Sequence, residues 1–317
     1  MQAGTYRIGH SGRTDVLHIR LACRYVSAMK RNTATGVKPD GRKVISMSVY
    51  GKDPRYTWGV LRNAQLVPVY LPEWTLRVYV AADPAPSQLA VPPRVINKLR
   101  LLGAEVVEVP SGNSMAPRNW RLLAADDHRL DYFLVRDADS RLSEREAAAV
   151  RDWLSAAEKN GSQSVVHCIR DHPKHADQAI VDGLWGGRPR PLHQLLRRNI
   201  TQMMDSIISN MSSPSSARTS DTMALLNQVL WPAVSNFSYC HDSVSPCDRW
   251  TPSTSRRSFP LPRQGRQYVG QKFDAHQDLI STDGDQLKAD VVCAQTSLDS
   301  QGVNLSPNQT RRPNLNL

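Results

Sequence analysis

Hydrophobic residues recur along residues 42–170 in two alternating patterns, one typical of β-strands and one typical of α-helices. The strand-like segments are short, and the segments between them carry apolar residues at helical spacing. This alternation predicts an α/β fold in which helices cover both faces of a mostly parallel sheet. The predicted strands are 42–50, 74–81, 104–109, the run ending at Asp137, and 164–170; the predicted helices are 57–69, 95–102, 120–125 and 143–154.

The pattern becomes less regular towards the C-terminus. Two more helices are predicted at 191–211 and 220–230, with a Ser/Pro-rich break at 212–216 between them. Short strands at 237–241 and 267–273 would close the fold. We therefore expect one domain at 43–275, preceded by a basic, weakly ordered leader at 1–42 and followed by a polar, disordered tail at 276–317.

The net charge of +11 is concentrated at the N-terminus, where residues 1–43 hold nine Lys or Arg and two Asp. Such a leader can contact polynucleotide or anionic lipid, or it can be a solvated extension. No nucleic-acid-binding motif accompanies it, so we do not expect a nucleic-acid partner.

We expect no secretory signal, because the N-terminal residues contain no apolar segment typical of one. We also expect no membrane span, because the sequence has no apolar run of the ~20 residues that a bilayer requires. Its cysteines number five, an odd count without disulfide-framework spacing. We expect a cytoplasmic protein with reduced cysteines, and the basic leader leaves a peripheral position at a membrane open.

Asp137 and Asp139 are the main candidates for chemistry, because they directly follow a predicted apolar strand and precede a predicted helix. Two carboxylates one residue apart can hold a hard divalent cation, Mn²⁺ or Mg²⁺, which neutralises a departing diphosphate. The alternative is a solvated acidic turn. A second such pair, Asp283 and Asp285, lies in the polar tail without a predicted element to orient it.

An ordered set of segments resembles a little-characterised family of GT-A-fold glycosyltransferase-like proteins from bacteria, viruses and scattered eukaryotes, some linked to surface polysaccharide. The segments span roughly residues 43–274 and include VISMSVYGKDPRYTWGVLRNAQL, LRLLGAEVVEV, YFLVRDADSRLSEREAAAVRDWL, DGLWGG, QVLWP and FPLPRQGRQYVGQKFD. The resemblance implies a GT-A-like (Rossmann-like) sheet and a metal-dependent glycosyltransferase that moves a sugar from a UDP- or GDP-sugar to a hydroxyl of a glycan or other acceptor. Two alternatives remain: a catalytically degenerate domain that binds sugar nucleotides or a partner, and a basic nucleic-acid-binding protein.

The resemblance also implies roles for individual residues. Asp137 and Asp139 would hold the metal, with His241 either as a further ligand or as a strand-end residue in contact with water. Arg121 would lie beside the metal as a catalytic residue. Asp171 would be the base for the acceptor hydroxyl, and Asp221 an acceptor contact, a second base or a helix cap.

Donor binding is expected from three parts of the chain. By the same resemblance, Tyr50 would stack on a base or cover the sheet edge, and Arg62 would reach a phosphate or lie in solvent. Trp185 would stack on the sugar or pack in the core. The chain departs from the family at Asp182, where a glycine is usual, and around Asp221, where more acidic residues are usual. The full set of expected donor contacts is Ser48, Tyr50, Gly51, Arg62, Asn63, Arg136, Gly183, Trp185 and Gly186.

Overall fold

The computed structural model describes residues 41–82, 87–110, 113, 115–160, 164–209, 219–246, 249–250, 256–276 and 278–280. The strands are β1 (Lys43–Ser48), β2 (Thr75–Ala81), β3 (Glu105–Val109), β4 (Tyr132–Arg136), β5 (Val166–Arg170), β6 (Leu184–Gly187), β7 (Ser238–Asp242) and β8 (Arg256–Arg257). The α-helices are α1 (Pro54–Tyr70), α2 (Pro93–Leu101), α3 (Glu144–Asn160), α4 (Pro189–Leu196), α5 (Ile200–Ser209), α6 (Thr219–Ala224) and α7 (Trp231–Val234). Shorter helical segments are 3₁₀ turns at Pro117–Asp126, Pro173–His175 and Ser235–Phe237 and a π-helical stretch at Leu225–Leu230.

The described strands form one sheet in the order β3-β2-β1-β4-β6-β5-β7-β8. β6 runs antiparallel to its neighbours β4 and β5, whereas the remaining pairs are parallel. The predicted α/β fold with a mostly parallel sheet and flanking helices is therefore confirmed. Because β1 and β4 are parallel neighbours, their carboxyl ends lie side by side, which is where open α/β sheets bind ligands.

Two apolar cores lie on opposite faces of the sheet, as the side-chain alternation of a strand requires. Val44 of β1 joins one core, together with the 3₁₀ turn Pro117–Asp126, the π-helical stretch Leu225–Leu230 and helices α4, α5 and α7. Its neighbour Ile45 joins the other core, together with α1, α2 and α3. Both side chains are fully buried. A sheet buried on both faces gives the near-continuous apolar strands seen in the sequence.

Several elements differ from the sequence-based expectation, and three of them bear on the site or on the path of the chain. The sequence pattern predicted no strand at the DGLWGG segment, but Leu184–Gly187 forms β6 because its backbone pairs with both β4 and β5. Residues 267–273 form no strand, and only Lys272 and Phe273 make isolated bridges. The helix expected at 191–211 is broken at Arg197, which adopts a φ of 56° between α4 and α5.

The expected termini fall largely outside the described residues, which begin at 41 and end at 280. At the C-terminal side, Phe273 bridges Leu279, and the amide of Ile280 donates to the carbonyl of Lys272 at 3.1 Å. The backbone of 278–280 thus packs onto 272–273. Within the described ranges, no helix is both long and apolar enough to cross a bilayer.

Two histidines pair inside the sheet. His167 Nε2 lies 2.9 Å from His241 Nδ1, and His241 Nε2 lies 3.3 Å from a carboxylate oxygen of Asp152. Burial lowers the pKa of His167 well below 6.5, and His241 lowers it further. Burial also lowers the pKa of His241, although Asp152 opposes this shift. Both rings are therefore neutral at neutral pH.

We predict that the free energy of unfolding falls as the pH drops below about 6.5, by roughly 1.4 kcal/mol per pH unit for each such histidine. The reason is that the unfolded chain binds protons in this range and the folded pair does not. Urea unfolding at pH 7.5 and 5.5 measures this dependence. His167→Gln should flatten it, whereas His276→Gln, at an exposed site, should leave it unchanged; equal slopes in all three proteins would contradict the prediction.

A fragment of residues 41–280 should unfold at the same temperature as the full chain, because we expect the leader and tail to bury too little apolar surface to offset the entropy of ordering. The alternative is that the apolar residues of segment 16–27 form one helix against the sheet. A fragment of residues 41–274 should unfold at a lower temperature, since it lacks the bridge from Leu279 to Phe273. Thermal unfolding followed by circular dichroism measures both. A 41–280 fragment that unfolds well below the full chain would show that the leader or tail packs on the domain.

Candidate functional site

A cavity of about 420 Å³ lies at the carboxyl ends of β1 and β4. Five separate parts of the chain contribute charged side chains to its lining. The turn after β4 supplies Asp137 and Asp139, the start of α1 supplies Arg55, and the 3₁₀ turn Pro117–Asp126 supplies Arg118 and Arg121. Asp182, before β6, and Lys272, near the end of the described chain, complete the charged lining.

Helix α1 packs against the turn that carries the two aspartates and bonds to its backbone. Asn63 donates to the carbonyl of Ser140 at 2.8 Å and accepts from the amide of Leu142 at 3.2 Å. α1 also approaches closely at Gly59, where an added Cβ would lie 2.2 Å from the carbonyl oxygen of Ala138. These contacts fix the turn, so the carboxylates are oriented without a ligand.

Arg121 joins two of the acidic side chains. Its guanidinium donates to Asp137, and its Nη2 donates to Asp182 Oδ1 at 2.8 Å. Its backbone is anchored to β1, since its amide donates to Ser48 Oγ at 2.7 Å. Arg118 donates to the second oxygen of Asp182, also at 2.8 Å. Ser48 therefore holds the arginine that faces the acidic turn.

Lys272 lies between the two aspartates. Its Nζ donates to Asp137 Oδ2 and, at 2.8 Å, to Asp139 Oδ1. The other oxygen of Asp139 accepts from Arg55 Nε at 2.9 Å, and the other oxygen of Asp137 accepts from Arg121. Each of the four carboxylate oxygens thus accepts a hydrogen bond from a cationic side chain.

These charges control the protonation of the site. Burial alone would raise the pKa of Asp137, but the charges of Arg121 and Lys272 outweigh it and hold that pKa below its ordinary value. Burial likewise favours neutral Lys272, yet Asp137 and Asp139 raise the pKa of its ammonium. Both groups are therefore ionised at neutral pH. The lining contains three carboxylates and four cations, so the cavity carries a net positive charge.

In this arrangement the two aspartates do not fit a divalent cation. Their four oxygens are already directed at Lys272, Arg121 and Arg55, which together carry three positive charges. No group of three or more His, Cys, Asp or Glu side chains with metal-binding geometry occurs in the described part of the chain.

The structure brings five of the residues expected from the sequence into this cavity: Ser48, Tyr50, Arg121, Asp137 and Asp139. Gly51 and Gly183 lie next to it.

Gly51, with a φ of 72°, donates its amide to the carbonyl of Leu89 at 2.9 Å. Gly183, with a φ of 84°, approaches so closely that an added Cβ would lie 2.7 Å from the Asp137 carboxylate. The carboxylate therefore occupies the space that a side chain at position 183 would fill.

Other expected donor contacts do not line the cavity. Arg62 pairs with Gln65 on the surface of α1, and Asn63 lies behind the acidic turn. Arg136 is fully buried and donates to Glu146 and to the carbonyl of Trp185.

Trp185 and Gly186 belong to the core. Trp185 is fully buried and packs edge-to-face on Phe133 with ring centroids 5.2 Å apart. At Gly186 an added Cβ would lie 2.4 Å from the carbonyl oxygen of Phe133. Of the two interpretations of Trp185, core packing is the one that the structure supports.

Asp171 was expected to be a base, but it is fully buried and surrounded by donors. Arg145 contacts both carboxylate oxygens at 3.0 and 2.9 Å, and Arg263 and Ser243 donate at 2.8 and 2.7 Å. The amide of Val269 adds a fifth bond at 2.9 Å. A carboxylate so fully bonded joins β5 to the C-terminal segment and is not accessible to an acceptor hydroxyl.

His241 also lies apart from the acidic turn in the described structure. His241 is fully buried in β7 and contacts His167 and Asp152, so the structure does not bring it to Asp137 and Asp139. Asp221 lies within α6.

Sequence reasoning missed Arg55, Tyr56, Arg118 and Lys272 as lining residues. Arg55 had a local signal, because Asp53 and Pro54 mark a helix start next to the end of β1, where a side chain in the first turn faces the cavity. Lys272 lacked any such signal. It lies 133 residues from Asp139 and reaches the turn through an isolated bridge to Ser140.

Comparisons with known proteins give structural similarities only. No family model matches the chain, and no curated protein matches it in sequence. It is similar to a mannosyltransferase, PcManGT, from Pyrobaculum calidifontis in complex with GDP-Man and Mn²⁺, at 14% identity over 79% of this chain and 68% of that chain, with a TM-score of 0.39.

Two further similarities involve chains from bacteria. One is S. aureus TarS 1-349, at 18% identity over 48% of each chain, with a TM-score of 0.31. The other is M. tuberculosis glucosyl-3-phosphoglycerate synthase, at 12% identity over 67% of this chain and 84% of that chain, also with a TM-score of 0.31.

We predict that Gly183→Ala lowers the free energy of unfolding by more than Gly103→Ala does. Both glycines have a positive φ, 84° and 82°, but an added Cβ meets the Asp137 carboxylate at position 183 and nothing within 4 Å at position 103. The backbone cost of roughly 1–2 kcal/mol is common to both, so the difference reports displacement of Asp137. Urea unfolding measures it, and equal losses would mean that the carboxylate moves aside at no cost.

Proposed function

We propose that this chain is a glycosyltransferase that binds a nucleotide-diphosphate sugar, of the UDP or GDP type, in the cavity at the ends of β1 and β4. It transfers the sugar to a hydroxyl of a glycan or other acceptor, as in polysaccharide biosynthesis. The observation that carries the proposal is the convergence of Arg55, Arg118, Arg121 and Lys272 in one cavity with a net positive charge.

A diphosphate is the ligand that best matches these donors. Guanidinium groups bind phosphate oxygens through paired N–H donors, and an ammonium adds a compact positive charge. Two of the three ammonium donors of Lys272 are directed at Asp137 and Asp139, which leaves one for a ligand. The carboxylates keep these cations in fixed positions, so the site requires little rearrangement when an anion binds.

Two tyrosines support nucleotide binding. Tyr50 and Tyr56 line the cavity, and each is more than a third exposed. Arg55 lies 5.4 Å from the ring centroid of Tyr56, which links the aromatic side of the cavity to its cationic side. A base can stack on an exposed phenol ring while the diphosphate reaches the arginines.

In the proposed reaction, an acceptor hydroxyl oxygen forms a bond to the anomeric carbon. The bond from that carbon to the diphosphate breaks, and the diphosphate leaves with the electron pair. Arg55, Arg121 and Lys272 would stabilise the charge that develops on it. Since Asp171 is not accessible, the acidic groups of the lining, including Asp182, are the described candidates to receive the hydroxyl proton.

The dependence on Mn²⁺ or Mg²⁺ that the sequence predicts would require Lys272 to leave Asp137 and Asp139, because its ammonium contacts both carboxylates.

Binding without turnover is the second candidate function. The observation that favours it is the ion pairing of Asp182 with both Arg118 and Arg121. Asp182 occupies a position at which the family that this chain resembles usually has a glycine. A carboxylate that is paired with two arginines can compete with a diphosphate for them.

We predict that Arg55→Gln weakens binding of UDP or GDP by about 10-fold or more, because a hydrogen bond to a charged group contributes roughly 1.5–3 kcal/mol. Arg100→Gln is the matched control, since Arg100 is exposed and pairs with Glu108 far from the cavity. Calorimetry with UDP, GDP and their sugar conjugates measures affinity, and release of free or transferred sugar measures turnover.

Absence of nucleotide binding in the unmodified protein would refute the proposal. Equal weakening by both substitutions would place the nucleotide elsewhere. Tight binding of sugar nucleotides without release or transfer of sugar, with any acceptor offered, would favour the domain that binds without turnover.

A further inference from the structure

The position of Lys272 is set by the backbone around it. Lys272 bridges Ser140 in antiparallel fashion, and the amide of Phe273 donates to the carbonyl of Asp139 at 2.8 Å. The Phe273 ring also packs under the guanidinium of Arg141, 4.6 Å from its centroid. The ammonium is thus presented to Asp137 and Asp139 by a segment that pairs with their own turn.

The path of this segment is also constrained from its N-terminal side. Gly270 has a φ of 90°, and an added Cβ there would lie 2.8 Å from Leu184. On the C-terminal side, the carbonyl of Lys272 accepts a hydrogen bond from the amide of Ile280 at 3.1 Å. The backbone is therefore constrained on both sides of Lys272, which fixes the position from which its side chain extends.

The charge balance leaves little attraction for a second cation. Asp137 and Asp139 carry two negative charges and are contacted by three positive side chains, Arg55, Arg121 and Lys272. A divalent ion added to this group would meet a net repulsion and would find no free carboxylate oxygen. With Lys272 replaced by a neutral residue, one oxygen of each aspartate would become available on the same side of the turn.

We propose that Lys272 permanently takes the place of a divalent cation between Asp137 and Asp139, so that this chain binds a nucleotide diphosphate without a metal ion. The ammonium serves as the fixed positive charge that faces the leaving diphosphate. The part concerning nucleotides rests on the proposed function, whereas the part concerning the metal does not.

The decisive test is Mn²⁺ binding to the full-length protein, measured by calorimetry and by electron paramagnetic resonance of the ion. The unmodified protein should take up no stoichiometric Mn²⁺. Lys272→Met should gain one Mn²⁺ site, and the double variant Lys272→Met with Asp139→Asn should lose it. Lys98→Met, at an exposed site of α2, controls for the loss of one positive charge and should gain nothing.

Two further variants keep the test decisive if Lys272→Met does not fold. Lys272→Gln is neutral and more polar than Met, and it should gain the Mn²⁺ site if it folds. Lys272→Arg keeps the charge and should not gain the site. Circular dichroism confirms the fold of each variant before binding is measured.

A stoichiometric Mn²⁺ site in the unmodified protein would overturn the proposal, and so would absence of Mn²⁺ binding in both folded neutral variants. Nucleotide binding that is equal in Mn²⁺ and in EDTA supports the proposal, while binding abolished by EDTA contradicts it. If no nucleotide binds under any condition, the proposed function fails, and the gain of Mn²⁺ by the neutral variants still decides the role of Lys272.

Discussion

Neutralisation of buried carboxylates by basic side chains is the interaction on which this sheet depends. Arg77 pairs with Asp127, Arg136 with Glu146, and Arg170 with Asp242, all with nearly inaccessible side chains. An unpaired charge in such positions would cost several kcal/mol. These pairs join β2 to the end of the 3₁₀ turn Pro117–Asp126, β4 to α3, and β5 to β7. The charged residues of the core therefore connect its elements, while the apolar residues supply its burial.

The cavity extends the same interaction to a surface where a ligand can enter. Asp171 and Asp137 both directly follow a strand, yet their environments differ. Asp171 accepts five hydrogen bonds and is fully buried, whereas the side chain of Asp137 remains 24% exposed. The ion pairs at Asp171 join buried elements of the fold. At Asp137 the ion pairs hold cationic side chains at the lining of a cavity.

The sequence predicted the elements whose pattern is local and did not predict contacts that depend on the tertiary fold. β1, β4 and the turn at Asp137 were predicted from apolar runs and from the change between strand-like alternation and helical spacing of the apolar residues. Trp185 was ambiguous because its segment is a strand only through pairing with β4 and β5 on either side.

Residues whose role depends on a distant partner were the hardest to predict. The role of Asp171 depends on Arg145, Arg263 and Val269, which local sequence does not place beside it. Lys272 was missed for the same reason, since its significance arises only from the turn that it contacts.

The bridge between Lys272 and Ser140 has a consequence for how the protein is made. Synthesis proceeds from the N-terminus, so β1 to β4 and the acidic turn leave the ribosome well before residue 272, at about 5–20 residues per second. Until then Asp137 and Asp139 have Arg121 and Arg55 but lack the ammonium that contacts both. The two aspartates are balanced by two arginines before residue 272 is added, and the segment that carries Lys272 gives the turn its excess positive charge.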